Sequence, residues 1–381
     1  MTPRERMMIA IAGGMPDRVP ACPDMSNMIP CRLTGKPFMH VYGEDDPPLW
    51  QAYIDAVKYF GIDGWFMYGG LDITSEHPTV TTESRWLEQT EEKWTQEVIT
   101  HTSKGDLRTV TVYPKDIPPV TIEKMIKNPA EDLPKLYEIW EFDTVKTDSL
   151  EIQRAALGEL GVLGTNLCTP GFHIWEVWFV GGLQTLSYLY MDNPEILDEL
   201  CERHHDRIMR ELPYHLAAKP DFILTGGSGS VTMSSPSLWR QYALPSLQEI
   251  TKQAKATGVL TMVHSCGKER YMVEVCANET DLDCINPLEI PPMGDCNLRE
   301  LKEQFGAKIC LMGNLHTTDL MLNGTVEQVK AAARQAIDDA GAGGGFILST
   351  GDQCGRDTPD ENIFALVEVA EEYGRYPLMV G

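Results

Sequence analysis

His264 and Cys266 stand two residues apart in the stretch GVLTMVHSCGKE, where an apolar run ends in an imidazole and a thiol. Side chains two apart on an extended chain share a face. Both can therefore reach one ion if the chain stays extended as far as Cys266. Imidazole nitrogen and thiolate sulfur are donors that Zn²⁺ binds well, but a zinc centre wants at least three protein donors. The plainer reading, a buried cysteine beside a polar histidine, stands until a third donor is found.

Positioning such a site is the work of the surrounding elements. Eight short apolar runs recur along the chain: Val19 to Asp24, Gly64 to Met67, Val162 to Asn166, Asp221 to Leu224, Leu260 to His264, Cys284 to Pro287, Ile309 to Gly313 and Phe346 to Thr350. In the second half, helical periodicity separates them over Ser237 to Thr257, Lys268 to Ala277, Asn297 to Phe305 and Thr325 to Ala340. Short buried strands alternating with helices give βαβ units and a parallel sheet. Eight of them predict an α/β fold of the (β/α)₈ TIM-barrel type. A doubly wound open sheet is the competing fold, and the absence of a G-x-G-x-x-G helix start weighs against a nucleotide-binding version of it. The expected organisation is one TIM-barrel domain over residues 1–381, with an N-terminal helical extension at 1–18. Alternating β-branched residues around Ser-Lys-Gly-Asp predict a β-hairpin insertion over 75–118 near the barrel mouth. Its Trp86 and Trp94 either face a ligand or pack the insertion down.

Barrel chemistry collects where strands end. The predicted exits carry Asp24, Tyr68, Asn166, Thr225, His264, Glu289, Asn314 and the Asp352/Cys354 pair. Asp24, Asn166 and Asn314 are candidate contacts to a cofactor presented at the mouth. Asn166, Thr225 and Asn314 also read as turn formers. Cys354, in STGDQCGRDTP, follows the last strand and can be carried to a metal held by His264 and Cys266; Glu289 is a second candidate. Three such ligands leave zinc an open fourth position, the catalytic arrangement, and the chain has no C-x-x-C knuckle of the structural kind.

Bulk composition narrows the partners. Lys plus Arg total 32 against 56 Asp plus Glu, a formal charge of −24. So acidic a surface repels phosphate backbones and anionic lipid, which excludes nucleic acid and membrane surfaces as expected partners. No apolar run approaches the ~18 residues of a bilayer span, and no signal-peptide core follows Met1. The expected location is cytoplasmic. Ten cysteines spread over such a chain are not a disulfide framework.

Across most of its length the chain resembles the uroporphyrinogen decarboxylase superfamily, and within it the zinc- and corrinoid-dependent methyltransferases of the methylcobamide methyltransferase and O-demethylase type. The stretches that carry the resemblance are RVPACPDMS, GGLQTLSYLYMDNPEILDEL, SPSLWRQYALPSLQEI, MVHSCGK, LKEQFGAKICLMGNL and GGFILSTGDQCGRDTPDENI. The resemblance implies a zinc site of H-x-C plus a distant cysteine, matched by His264, Cys266 and Cys354. In the family that cysteine stands about six residues before a Thr-Pro pair. Here Cys354 is four before Thr358, and Asp352 fills the six-residue slot. Cys354 and Asp352 therefore both stand as third ligand, with Glu289 in reserve. The decarboxylase branch is similar among its members in an arginine-rich N-terminal segment; the matching place here, Ala21 to Met28, has no arginine.

The function so implied is transfer of a methyl group between a small methylated molecule and the cobalt of a corrinoid, with an aryl methyl ether favoured as donor. The chain has no D-x-H-x-x-G corrinoid signature, so the corrinoid is expected on a separate carrier protein. A homo-oligomer is left open. Trp175 and Trp178 either wall an aromatic substrate or pack a helix; His173 and Glu176 are candidate proton carriers, and His204 and His205 read as a solvated helix face. Two other readings remain: a metal-free decarboxylase that uses Asp24 and Tyr68, and a non-enzymatic corrinoid- or metal-binding protein.

Overall fold

Seven parallel strands lie in chain order: β1 (Gly64–Gly69), β2 (Gly161–Asn166), β3 (Phe222–Gly226), β4 (Leu260–His264), β5 (Cys284–Asn286), β6 (Cys310–Leu315) and β7 (Phe346–Thr350). They are seen in a computed structural model that describes residues 1–74, 79–141 and 144–378. β3 and β7 are buried at every residue, as strands covered on both faces must be. That is why they read in sequence as short, nearly unbroken apolar runs.

Segment 19–24 supplies the eighth stave. Cys22 N donates to Leu348 O and Leu348 N to Pro20 O, both at 2.9 Å, along β7. On the other flank Asp63 N, just ahead of β1, donates to Ala21 O at 2.9 Å. The segment thus joins β7 to β1 and completes the (β/α)₈ barrel. Cys22, Trp65, Val162, Phe222, Met262, Cys284, Cys310 and Ile347, one from each stave, form a single buried cluster with Met7, Ala10 and Ile11 of the N-terminal helix Pro3–Ile11. That helix, started by a capping box of Thr2 and Glu5, plugs the floor of the barrel. Gly164 lacks a side chain because a Cβ there would lie 2.2 Å from the Phe222 ring. With the interior packed solid, chemistry is left to the C-terminal mouth.

Outside the staves, helices cover the barrel. Expected helices recur as Arg270–Glu279, Leu298–Phe305 and Val326–Ala340; Asn297 and Thr325 cap the last two. The pattern over Ser237 to Thr257 divides into Pro236–Tyr242 and Leu244–Thr257. Pro245, in the first turn of the second, has no N–H to continue the first. Among the described residues no helix is long and apolar enough to cross a membrane.

The insertion is larger than one hairpin. Thr81–Gln89, Lys93–Thr102, Gly105–Pro114 and Val120–Glu123 pair antiparallel in that order. The fourth strand runs beyond residue 118, and the expected start at 75 falls outside the described residues. Trp86 and Trp94 pack the insertion down. Their ring centroids are 5.4 Å apart, and a Cβ on Gly43 of the helix Phe38–Gly43 would touch both. Trp175 is fully buried, packed with Phe172 and Tyr242, and its Nε1 donates to His204 Nδ1 at 3.3 Å. Trp178 packs on Trp140 and His204. His204 is therefore an interior residue and not a solvated one, placed there by an aromatic neighbourhood contributed from elsewhere in the chain. His205 is half-buried against Ser246 Oγ at 2.9 Å.

Candidate metal centre at the barrel mouth

His264 is the last residue of β4, and its two neighbours fix its position. The register sets it beside Gly226 of β3 and Asn286 of β5. Gly227 N donates to His264 O at 2.8 Å and Ser265 N to Asn286 O at 2.9 Å. Gly226 has φ +84°, and a Cβ on it would sit 2.8 Å from His264 O. Only glycine allows the chain to turn so close to the histidine. His264 Nδ1 meets Asn286 Oδ1 at 3.1 Å. Amide oxygen only accepts, so Nδ1 carries the ring proton and Nε2 presents a bare lone pair. That nitrogen lies 3.8 Å from Asp352 Oδ1.

Cys266 follows in a loop that is tightly held. Gly267 N donates to the Glu289 carboxylate, and Lys268 N to Thr232 Oγ1 at 2.8 Å. The Cys266 thiol is half-buried and pushed up to about 12, by burial first and then by the negative charge of Asp352, while a hydrogen bond with Ser228 opposes the shift. Without a cation it stays a thiol; a bound divalent ion is what turns such a group into a ligand.

Asp352 arrives from the far side of the ring, after β7. Its φ is +98°, a conformation that costs a non-glycine residue of order 1 kcal/mol or more and is held only by its surroundings. Thr350 Oγ1 donates to Asp352 O at 2.8 Å and accepts from Asp24 N at 3.0 Å. One donor atom each from His264, Cys266 and Asp352 lie within 4.8 Å of one another, the one such gathering of potential metal ligands among the described residues.

Cys354 goes elsewhere. Its N donates to Asp24 O at 2.8 Å, its side chain is fully buried in the apolar layer, and burial pushes the thiol up to about 12. The structure therefore brings Asp352, and not Cys354, to the pair. Glu289 stays close: burial raises its carboxyl first, the Gly267 amide lowers it, Asp352 raises it, and His264 and His316 lower it. Asp24 is buried, with its carboxyl raised by burial, lowered by His264 and by the Ser26 hydroxyl that donates to it, and raised again by Asp352. Tyr68 O–H donates to Ser26 O. Asn314 sits in a small notch with Glu289 and His316. Asn166 faces outward and spends its amide on Met67 O at 2.6 Å. Glu176 pairs with Lys124. His173 is buried, pushed down to about 4 by that burial.

A tetrahedral zinc about 2.0–2.3 Å from its donors spaces them roughly 3.3–3.6 Å apart. The 3.8 Å between His264 and Asp352 needs little closing. Nitrogen, sulfur and oxygen donors and a histidine oriented through its other nitrogen are what zinc requires. The residues present fit the ion. Two participants carried no sequence signal beyond polarity at a strand exit: Asn286, which orients His264, and His316.

The family model described as uroporphyrinogen decarboxylase (URO-D) matches residues 180–373. The chain belongs to the uroporphyrinogen decarboxylase (URO-D) family. Within that family it is 30% identical over 146 residues to the methylcobamide:CoM methyltransferase MtaA of Methanosarcina barkeri, and 27% over 149 residues to the methylated-thiol–coenzyme M methyltransferase of Methanosarcina mazei. It is 26% identical over 189 residues to the uroporphyrinogen decarboxylase of Thioalkalivibrio sulfidiphilus. These stretches cover 38%, 39% and 48% of the chain; they span 39% and 37% of the two methyltransferases and 50% of the decarboxylase. A solved methyltransferase structure from Methanosarcina mazei superposes with a TM-score of 0.67, covering 98% of this chain and 99% of that one at 17% identity. That likeness is one of fold, and it extends to the whole URO-D barrel.

Proposed function

We propose that the protein is a zinc-dependent methyltransferase moving a methyl group between a small molecule, with an aryl methyl ether as favoured donor, and the cobalt of a corrinoid carried by a partner protein. The observation that carries this reading is the meeting of His264, Cys266 and Asp352 at the barrel mouth, on a chain similar to methylcobamide methyltransferases. Zinc bound there supplies a Lewis acid for a heteroatom of the substrate. The chain's own residues do the rest. Asn286 holds the His264 tautomer, Ser228 steadies the Cys266 sulfur, and Glu289 is the reserve ligand. Asp24 lies beside the cluster as a carboxyl that burial raises above its usual range; with Asn314 it is the proposed contact to the incoming cofactor, Asn166 lying further out. A cytoplasmic location goes with this reading. Gripping a porphyrinogen with its several carboxylates, as a uroporphyrinogen decarboxylase must, is not favoured where Asp24, Asp352 and Glu289 converge and residues 21–28 hold no arginine.

The test is elemental analysis joined to turnover. Purified protein is expected to hold one zinc per chain and, given 2-methoxyphenol and free cob(I)alamin, to consume the Co(I) absorption while releasing catechol. His264→Ala should lose both. Active protein without metal, or zinc-loaded protein that transfers no methyl group from ethers, thiols or amines, would refute the proposal.

A further inference from the structure

Two histidines stand at strand ends of the mouth with opposite ring polarity. His264 offers the lone pair of Nε2, because Nδ1–H is spent on Asn286. His316, the first residue after β6, is arranged the other way round. Its Nδ1 accepts from Thr318 N at 3.2 Å and from Asp319 N at 3.0 Å. A ring nitrogen that accepts two amide hydrogens carries none of its own, so the proton sits on Nε2. The nearby Asp319 carboxylate lies 3.9 Å from that nitrogen, too far to accept a hydrogen bond, and is 81% exposed. The His316 side chain is only 16% exposed. It lines a notch with Glu289, Asn314 and Gly351, next to Asp352. The free space there is about 10 Å³, the size of one water or one bound heteroatom.

We propose that His316 Nε2–H is the substrate's hydrogen-bond donor at this site and selects an oxygen-bound methyl group. This deepens, and rests on, the methyltransferase reading. An ether oxygen has two lone pairs and no hydrogen, so beside the Lewis acid it can still accept from a donor, which His264 cannot be. A methylammonium nitrogen has no lone pair and would meet N–H with N–H. In the transfer, the carbon–oxygen bond breaks with both electrons staying on oxygen. The methyl group leaves to the electron pair of the corrinoid cobalt. His316 N–H stabilises the phenolate, which then takes a proton from water.

The test uses the full-length, zinc-loaded protein. Side-chain ¹⁵N spectra should show His316 protonated at Nε2 and bare at Nδ1, with the Nε2–H resonance moving as 2-methoxyphenol is added. His316→Ala, and His316→Asn, which retains a helix-capping oxygen, should each bind 2-methoxyphenol roughly tenfold more weakly, the worth of one hydrogen bond, with zinc content at the wild-type level. A protonated Nδ1, wild-type affinity in His316→Asn, or no binding of 2-methoxyphenol by the wild type would each overturn the proposal. If 2-methoxyphenol moves the His316 resonance but the protein holds no zinc, the methyltransferase reading falls and the donor assignment survives.

Discussion

The two ends of the barrel treat buried charge in opposite ways. At the floor, Asp63 is fully buried and is met by Arg6 at 2.5 Å, Arg18 at 2.8 Å and the Ala21 amide at 2.8 Å, while Arg6 also reaches Asp17 at 2.7 Å. Asp63 and Asp17 thus each have a guanidinium partner. At the mouth, Asp24, Asp352 and Glu289 converge around His264 and Cys266, and burial holds the carboxyls of Asp24 and Glu289 above their usual range. The floor is built for stability. The mouth carries an electrostatic debt that a divalent cation would settle, and such unbalanced groups mark functional sites.

Substitutions can break this contrast. Asp63→Asn at the floor removes the buried negative charge that Arg6 and Arg18 share and should cost roughly 3–5 kcal/mol in urea unfolding. A loss under 1 kcal/mol would mean that the floor is not an ion-paired core.

His173, buried near the mouth beside Gly227, sharpens the comparison through pH. Its folded value is about 4 against 6.5 unfolded. The unfolded chain therefore takes up a proton first as pH falls, and stability present above 6.5 is lost between 6.5 and 4. At about 1.4 kcal/mol per pH unit, going from pH 7 to 5 should cost roughly 2 kcal/mol through this residue. In His173→Phe the slope should flatten by that amount. An unchanged slope would contradict the burial argument.

Glu269, under the mouth, gives the smallest effect and the opposite sign to Asp63. It is wholly buried, Leu288 N donates to one oxygen at 2.6 Å, and the other oxygen has no partner among the described residues. Burial raises its carboxyl well above the ordinary value. The unfolded chain sheds this proton at lower pH than the folded one, so stability falls as pH climbs past the unfolded value. Glu269→Gln should gain about 1 kcal/mol at pH 8 and little at pH 4. Destabilisation at pH 8 would show that the carboxylate is needed charged.

Much of the barrel was legible because each stave is buried on both faces and so stands out as a short apolar run between turn residues. The insertion was under-read. A register shift between Trp86 and Glu88 breaks the alternation that would have separated its first two strands. The spacing of His264 and Cys266 marked them as a candidate pair, with a buried cysteine beside a polar histidine as the plainer reading until a third donor was found. The third member of the cluster was not legible, because the choice between Asp352 and Cys354 is made by the course of the chain after β7. With a φ of +98° two residues past the end of β7, Asp352 stands beside His264 while Cys354 lies under segment 19–24. His316 was missed because its ring edge is selected by two amides that exist only once the turn after β6 has formed.

The central claim is that one thiolate and one carboxylate, not two thiolates, complete the site with His264. Replacing zinc by cobalt(II) reads this directly through the sulfur-to-cobalt charge-transfer band. The band should vanish in Cys266→Ser, persist unchanged in Cys354→Ser, and be accompanied by at least tenfold weaker metal binding in Asp352→Asn. Loss of intensity in Cys354→Ser, with metal affinity intact in Asp352→Asn, would contradict the account.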